Sequence, residues 1–202
     1  MGLILFSCDG GHLVLPDRAS LLASRENGGN LVVNPPRAVW ERSELTPSEL
    51  TQFGFLVAAA GRAMIDTLPQ LRGGCVNYWE AGNWALNDEA EPKGRKQARA
   101  HRQMHLHLLG RSPGSTDAAW AWGESPVFPR FADRTTWAAA FEPLSPSECY
   151  QIVSRADTLL RTTYGLMTGQ IARWSPCDRC GYPSPVATGE PPHVCGECSV
   201  RL

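Results

Sequence analysis

The chain has 202 residues, 43% of them hydrophobic, with 19 Lys and Arg against 20 Asp and Glu and a formal net charge of −1. That length holds one sizeable domain plus a small module, and that hydrophobic share excludes a chain disordered throughout. Near-neutral charge gives no global signal for nucleic acid, so any basic patch has to be local.

The opening residues MGLILFSCDGG carry a short apolar run without a basic flank and do not read as a secretory signal. No stretch approaches the ~20 apolar residues that span a bilayer, so no membrane partner is expected and the expected compartment is the cytoplasm. Residues 3–15, LILFSCDGGHLVL, predict two short strands joined at Asp9-Gly10, a favoured hairpin pair. NLVVNPPR predicts a third strand, ended by Pro35-Pro36.

Two helices start with nearly the same device. In TPSE, Thr46 can cap, Pro47 suits the first helical position and Glu49 lies three residues after the cap; SPSE at Ser145–Glu148 repeats it. Leu50, Phe53, Val57, Met64, Ile65 and Leu68 keep helical spacing up to Pro69. Cys149, Ile152, Val153, Ala156, Leu159 and Leu160 do so until about Gly165. That spacing makes Cys149 a small core residue rather than a nucleophile. Cys75 to Trp79 reads as a strand, followed by an extended loop with Gly82 and Pro92. From Ser112 to Phe141, proline, glycine and Trp120, Trp122 and Trp137 predict ordered irregular structure whose path the pattern does not trace. Strand, strand, strand, helix, strand, strand, helix is the order of an α+β fold, helices packed on an antiparallel sheet.

The run QMHLHLLGR, Gln103 to Arg111, places two histidines one residue apart in apolar surroundings. As a strand it puts Gln103, His105 and His107 on one face and Met104, Leu106 and Leu108 on the other, with Leu109 breaking the alternation as at a strand end. One face can enter a core while the other stays polar. Such a pair is either catalytic or metal-binding, or two satisfied histidines on a partly exposed strand. Ahead of it the loop runs acidic at Asp88, Glu89 and Glu91, then basic at Lys93, Arg95, Lys96, Arg99 and Arg102. The basic run can receive a polyphosphate or nucleic-acid backbone, or can be a solvated, self-neutralising loop.

Residues about 28–111 resemble a histidine triad (HIT) domain. GGNLVVNPPRAVWERSELTPSEL is similar to that family's strand, turn and helix start, VNYWEAGNW to its asparagine- and glycine-containing strand and loop, and QMHLHLLGR to its His-x-His-x-His signature. The resemblance implies a HIT-like antiparallel sheet with packed helices, often dimeric, so a homodimer is one expectation. It also implies nucleotidyl transfer: His105, on the family's central histidine, attacks the α-phosphorus of a nucleotide or dinucleotide, forming a covalent nucleotidyl-histidine. His107 falls on the third histidine and can donate a hydrogen bond to the phosphate. Asn77 matches an asparagine that contacts phosphate or leaving group, and backbone amides near Gly82 and Asn83 can complete the cradle. Gln103 replaces the first histidine, and its amide can still donate and accept. His101 is a weaker candidate for the missing member. Arg102 and Arg111, flanking the strand, are further candidates for phosphate.

At the carboxyl end, Cys177, Cys180, Cys195 and Cys198 form two CxxC pairs fourteen residues apart, the spacing of a closed, structural Zn²⁺ site. A segment that small draws its folding energy from the metal. The expected division is a HIT-like catalytic domain with its extension over 1–172 and a zinc ribbon over 173–202. Such a ribbon binds nucleic acid, binds protein or braces its neighbour; without a basic face, bracing or protein contact fits better. Three functions compete: a nucleotidyl hydrolase or transferase acting on a dinucleoside polyphosphate or nucleoside phosphoramidate, with a phosphorylase variant; removal of adenylate from DNA ends, as in aprataxin, which resembles this chain in pairing a HIT domain with a zinc module; and a non-catalytic nucleotide-binding adaptor.

Overall fold

The computed structural model describes residues 2–166, 169–172, 174–185 and 198. Strands β1 (Leu3–Cys8) and β2 (Gly11–Leu15) pair antiparallel across Asp9-Gly10. The positive φ falls one residue after that dipeptide: Gly11 has φ 120, and a Cβ there would lie 2.0 Å from the Asn34 carbonyl oxygen. Only glycine lets β3 (Asn30–Asn34) come alongside at this point.

Both expected helix starts form as capping boxes. Thr46 Oγ1 accepts from the Glu49 N–H and the Glu49 carboxylate accepts from the Thr46 N–H, opening α1 (Pro47–Thr67). Between α1 and the last helix come β4 (Cys75–Ala81), the four-residue α2 (Ala98–His101), β5 (His105–Arg111) and α3 (Arg134–Ala139). Ser145 and Glu148 then open α4 (Pro146–Thr162) in the same way as α1. A two-residue strand, β6 (Gln170–Ile171), completes a six-stranded antiparallel sheet in the order β4-β5-β3-β2-β1-β6.

Strand parity divides the side chains into two cores. Leu31, Val33, Leu106 and Leu108 face α1 and α4 and pack with Phe53, Leu56, Met64, Ile152 and Val153. Cys149 is fully buried there, and burial pushes its thiol up to about 12, so it is inert packing. The opposite face carries Asn30, Val32, Asn77, Trp79, Ala81, His105, His107, Leu109 and Arg111. Residues 112–141 cover part of it: Trp120, 1% exposed, packs with Leu22, Ala23 and Leu109, flanked by Phe128 and Phe141.

This second core corrects two expectations about the histidine strand. Leu109 does not end it; pairing continues to Arg111, and Leu109 keeps the alternation because Trp120 gives that face an apolar cover. Gln103 lies before the strand, not in it. The polar face is therefore half roofed rather than open.

Beyond the sheet, β7 (Trp174–Pro176) and β8 (Pro183–Pro185) form a separate two-stranded sheet. Trp174 and Tyr182 pack against the main core. The Tyr182 hydroxyl donates to the Pro16 carbonyl, and the Arg18 guanidinium lies 5.5 Å from the Tyr182 ring centroid. Among the described residues, no helix is long and apolar enough to cross a membrane.

Candidate functional site

A cavity of about 580 Å³ opens on the half-roofed face, lined by His105, His107, His101, Gln103, Gly82, Asn83 and Ser20, with Trp79, Trp84 and Leu22 on its apolar side. Its two strand histidines present opposite chemistry, which their partners dictate. His105 Nδ1 lies 3.0 Å from the Gln103 carbonyl oxygen. A carbonyl only accepts, so Nδ1 carries the proton and the Nε2 lone pair is left for other work.

His107 is oriented by Asn30, which is 1% exposed. Its Oδ1 accepts from the Leu22 N–H at 3.2 Å and its Nδ2 donates to the Leu31 carbonyl at 3.0 Å, which fixes the amide's orientation. The same Nδ2 lies 3.3 Å from His107 Nδ1, so that nitrogen accepts and the neutral ring carries its proton on Nε2. The two rings meet edge-on with centroids 5.0 Å apart. Trp79 stacks on His107 at 5.4 Å and on Phe128 at 4.3 Å, so the covering segment helps hold the His107 plane.

Both imidazoles are held neutral. Burial depresses His107 to about 3, with the neighbouring His105 adding to the effect. His105 is lowered mainly by burial and further by Arg102, against the opposing pull of the Gln103 carbonyl and Glu80. Unfolded His107 takes up a proton near pH 6.5 and folded His107 does not until about pH 3, so the contribution to stability is complete above 6.5 and is lost as pH falls towards 3. Urea unfolding at stepwise lower pH in this window should show stability falling by up to about 1.4 kcal/mol per pH unit from this group, a slope that His107→Gln removes.

The other expected site residues divide into two groups. Gly82 and Asn83 do line the cavity. Gly82 has φ 127, and a Cβ on it would come within 2.7 Å of the Gln103 oxygen, the acceptor that orients His105. The Gln103 contribution comes from its backbone carbonyl; its side chain is exposed at the rim. Asn77, Arg102 and Arg111 are not gathered there. Asn77 shares the histidine face, but Trp79 occupies the position opposite His107, and Asn77 lines a different cavity with Arg111. Arg102, its side chain 10% exposed, is held by the Trp40 carbonyl, Glu41, Glu80 at 3.5 Å and Asn83 Oδ1 at 3.2 Å, which leaves it a clamp under the loop rather than a phosphate donor. Arg111 is 5% exposed and donates to the Ala121 and Glu124 carbonyls, pinning the covering segment.

The basic run before the strand is largely engaged as well. Lys96 donates to the Asn87 and Gly94 carbonyls and Arg99 pairs with Glu44, leaving Lys93 and Arg95 exposed and without a partner among the described residues. Sequence reasoning missed Asn30 and Trp79. Period-2 parity across NLVVN sets Asn30 and Val32 apart from Leu31 and Val33, and a polar residue heading an apolar strand was the available signal.

The Sγ atoms of Cys177 and Cys180, in the turn of the β7–β8 hairpin, and of Cys198 lie within 4.8 Å of one another, a group that can hold a metal ion. The Cys177 N–H donates to the Tyr182 carbonyl and the Gly181 N–H to the Cys177 carbonyl, a tight turn that brings Cys177 and Cys180 together. Cys195 lies outside the described residues.

No protein-family model matches the chain, and no curated protein matches it. Among solved structures the chain is similar to a histidine triad (HIT) protein from Sinorhizobium meliloti, at 18% sequence identity with a TM-score of 0.42, over 76% of this chain and 89% of that one.

Proposed function

We propose that this chain is a nucleotidyl hydrolase or transferase acting at the α-phosphate of a nucleotide derivative through a covalent intermediate on His105. The observation that carries the reading is the pair of opposite tautomers: one neutral imidazole with its Nε2 lone pair free, the next with Nε2–H ready to donate, in one cavity. The Nε2 lone pair of His105 forms a bond to the α-phosphorus as the bond to the leaving group breaks, and the leaving group departs with that electron pair. His107 Nε2–H stabilises charge on the phosphoryl oxygens without itself bringing a charge. Water or another acceptor then attacks the phosphorus, loses its proton, and returns the lone pair to His105. Trp84, which meets Phe131 only edge-on at 6.3 Å, is the aromatic best suited to a base. A homodimer belongs to the same reading. A panel of dinucleoside polyphosphates and nucleoside phosphoramidates assayed for nucleoside monophosphate release tests it; no release from any member would remove it.

The same proposal assigns a structural Zn²⁺ to Cys177, Cys180 and Cys198 with Cys195 as fourth ligand, because thiolates favour zinc and four of them leave no open position. Its role in this reading is bracing. The hairpin that it ties carries Tyr182, which contacts Pro16 and Arg18, and the same loop goes on to Ser20 and Leu22 in the cavity wall. Metal analysis should give about one zinc per chain, the number of four-thiolate sites. Chelation should expose the chain after Ile171 to protease while the helices stay folded, and equal protease resistance with and without metal would count against the brace.

A further inference from the structure

The step assigned to His105 leaves one proton without a source. As the Nε2 lone pair bonds to phosphorus, the leaving group takes the electron pair of the broken bond, and an amine or alcohol departs readily only if a proton arrives with it. Neither strand histidine can supply that proton. On His105 it sits on Nδ1 and is turned to the Gln103 carbonyl, 3.0 Å away. On His107 it sits on Nε2 of a ring held neutral, where it serves as a hydrogen-bond donor and not as an acid.

One further group in the cavity can give and take a proton. Among the described residues that line it there is no Asp, Glu, Lys, Arg, Cys or Tyr; Ser20, Asn83 and Gln103 are neutral, and His101 is the remaining imidazole. His101 ends α2, which packs on the short 3₁₀ turn Asn83–Leu86 in the same cavity wall. Its backbone is fixed. The His101 N–H donates to the Gln97 carbonyl at 3.2 Å and the Arg102 N–H to the Ala98 carbonyl at 2.8 Å, while the Arg102 side chain is clamped by the Trp40 carbonyl, Glu41 and Asn83. The His101 ring is half-buried and has no hydrogen bond to any described residue. His105 and His107 each commit a ring nitrogen to a neighbour that fixes the tautomer; His101 is held at the cavity with both of its nitrogens uncommitted among those residues.

We propose, resting on the reading of His105 as nucleophile, that His101 is the acid–base catalyst of this site and protonates the leaving group. In the first step the bond from His105 Nε2 to phosphorus forms and the bond from phosphorus to the leaving nitrogen or oxygen breaks with its electron pair. His101, in its protonated form, gives that atom a proton and becomes neutral. In the second step the neutral imidazole takes a proton from water as the water oxygen bonds to phosphorus, the phosphorus–Nε2 bond breaks, and the pair returns to His105. The cycle leaves both histidines as it found them. His101 matters most for a basic leaving group, an amine or an alcohol, and little for one that departs as a stable anion.

The test is single-turnover kinetics of the full chain, enzyme in excess, on two derivatives of adenosine 5′-phosphate and their guanosine counterparts. One is the p-nitrophenyl ester, whose leaving group departs as a stable anion; the other is the N-alkyl phosphoramidate, whose amine does not. His101→Ala should slow release of the alkylamine by about 10²-fold or more and keep release of p-nitrophenolate within about threefold of wild type. The ester also reports folding, since a variant that releases p-nitrophenolate at the wild-type rate retains the cavity and His105. Should His101→Ala not fold, His101→Gln, whose amide keeps the polarity and gives up no proton, reads the same contrast. Wild-type rates on both substrates, an equal loss on both, or a wild type that releases p-nitrophenolate but no amine would each overturn the role of His101 and leave the nucleophile standing. Release of neither group by the wild type would overturn the reading of His105, and this inference with it.

Discussion

His105→Ala is expected to lower nucleotidyl turnover by about 10³-fold or more while the protein stays folded, because a nucleophile that forms the covalent bond has no substitute in the cavity. His107 cannot replace it: its Nδ1 accepts from Asn30, and its Nε2 bears the proton. His101 lines the same cavity from the end of α2, but no described residue hydrogen-bonds its ring to fix a lone pair towards the site. The fold should tolerate the change, since His105 is only partly buried and its one hydrogen bond is to a carbonyl that water can reach. Tm should therefore move by no more than about 3 °C. Steady-state assays with thermal melts distinguish the two effects, and turnover within tenfold of wild type would show that another group attacks.

Asn30→Ala is expected to cost about 3 kcal/mol of stability, the larger structural effect of the two. Three polar groups lose their partner at once: the Leu22 N–H, the Leu31 carbonyl and His107 Nδ1, all buried. Asn30→Ala also frees the His107 tautomer, so the ring can flip its proton to Nδ1 and point a lone pair where the wild type points a donor. The pair of measurements is urea unfolding for stability and ¹⁵N chemical shifts of the imidazole for the tautomer. A variant that keeps both wild-type stability and an Nε2-protonated His107 would break the link drawn here between the β3 strand and the site.

The helix starts, the first hairpin and the order of strands were legible because each is written locally: a cap residue with Pro and Glu at fixed offsets, or an Asp-Gly between alternating runs. His105 and His107 were legible as a pair because strand parity is a local property too. What defeated the reading was the second layer. Residues 112–141 have no period, so nothing in them announced that Trp120 and Phe128 roof the histidine face, and without the roof Leu109 read as a strand end. Asn77 and Arg111 read as phosphate contacts because their residue types suit phosphate, but register sets Asn77 opposite Leu109, two positions beyond His107, and Arg111 four positions beyond it, with Trp79 opposite His107 itself. Arg102 looked free in sequence; its partners Trp40 and Glu41 are some sixty residues away along the chain.

The reach of Asn30 to His107 is of the same kind, spanning 77 residues. Such contacts follow only after the sheet order is known, since β3 lies beside β5 and not beside its neighbour in sequence, β4.

The measurement that bears most directly on the central claim is intact-protein mass spectrometry after brief incubation with dinucleoside polyphosphates and nucleoside phosphoramidates, quenched without acid. The account predicts a nucleotidyl adduct on the wild type that acid removes and that His105→Ala does not form. Product formed at wild-type rates with no adduct at any quench time, or an adduct of equal yield on His105→Ala, would contradict it.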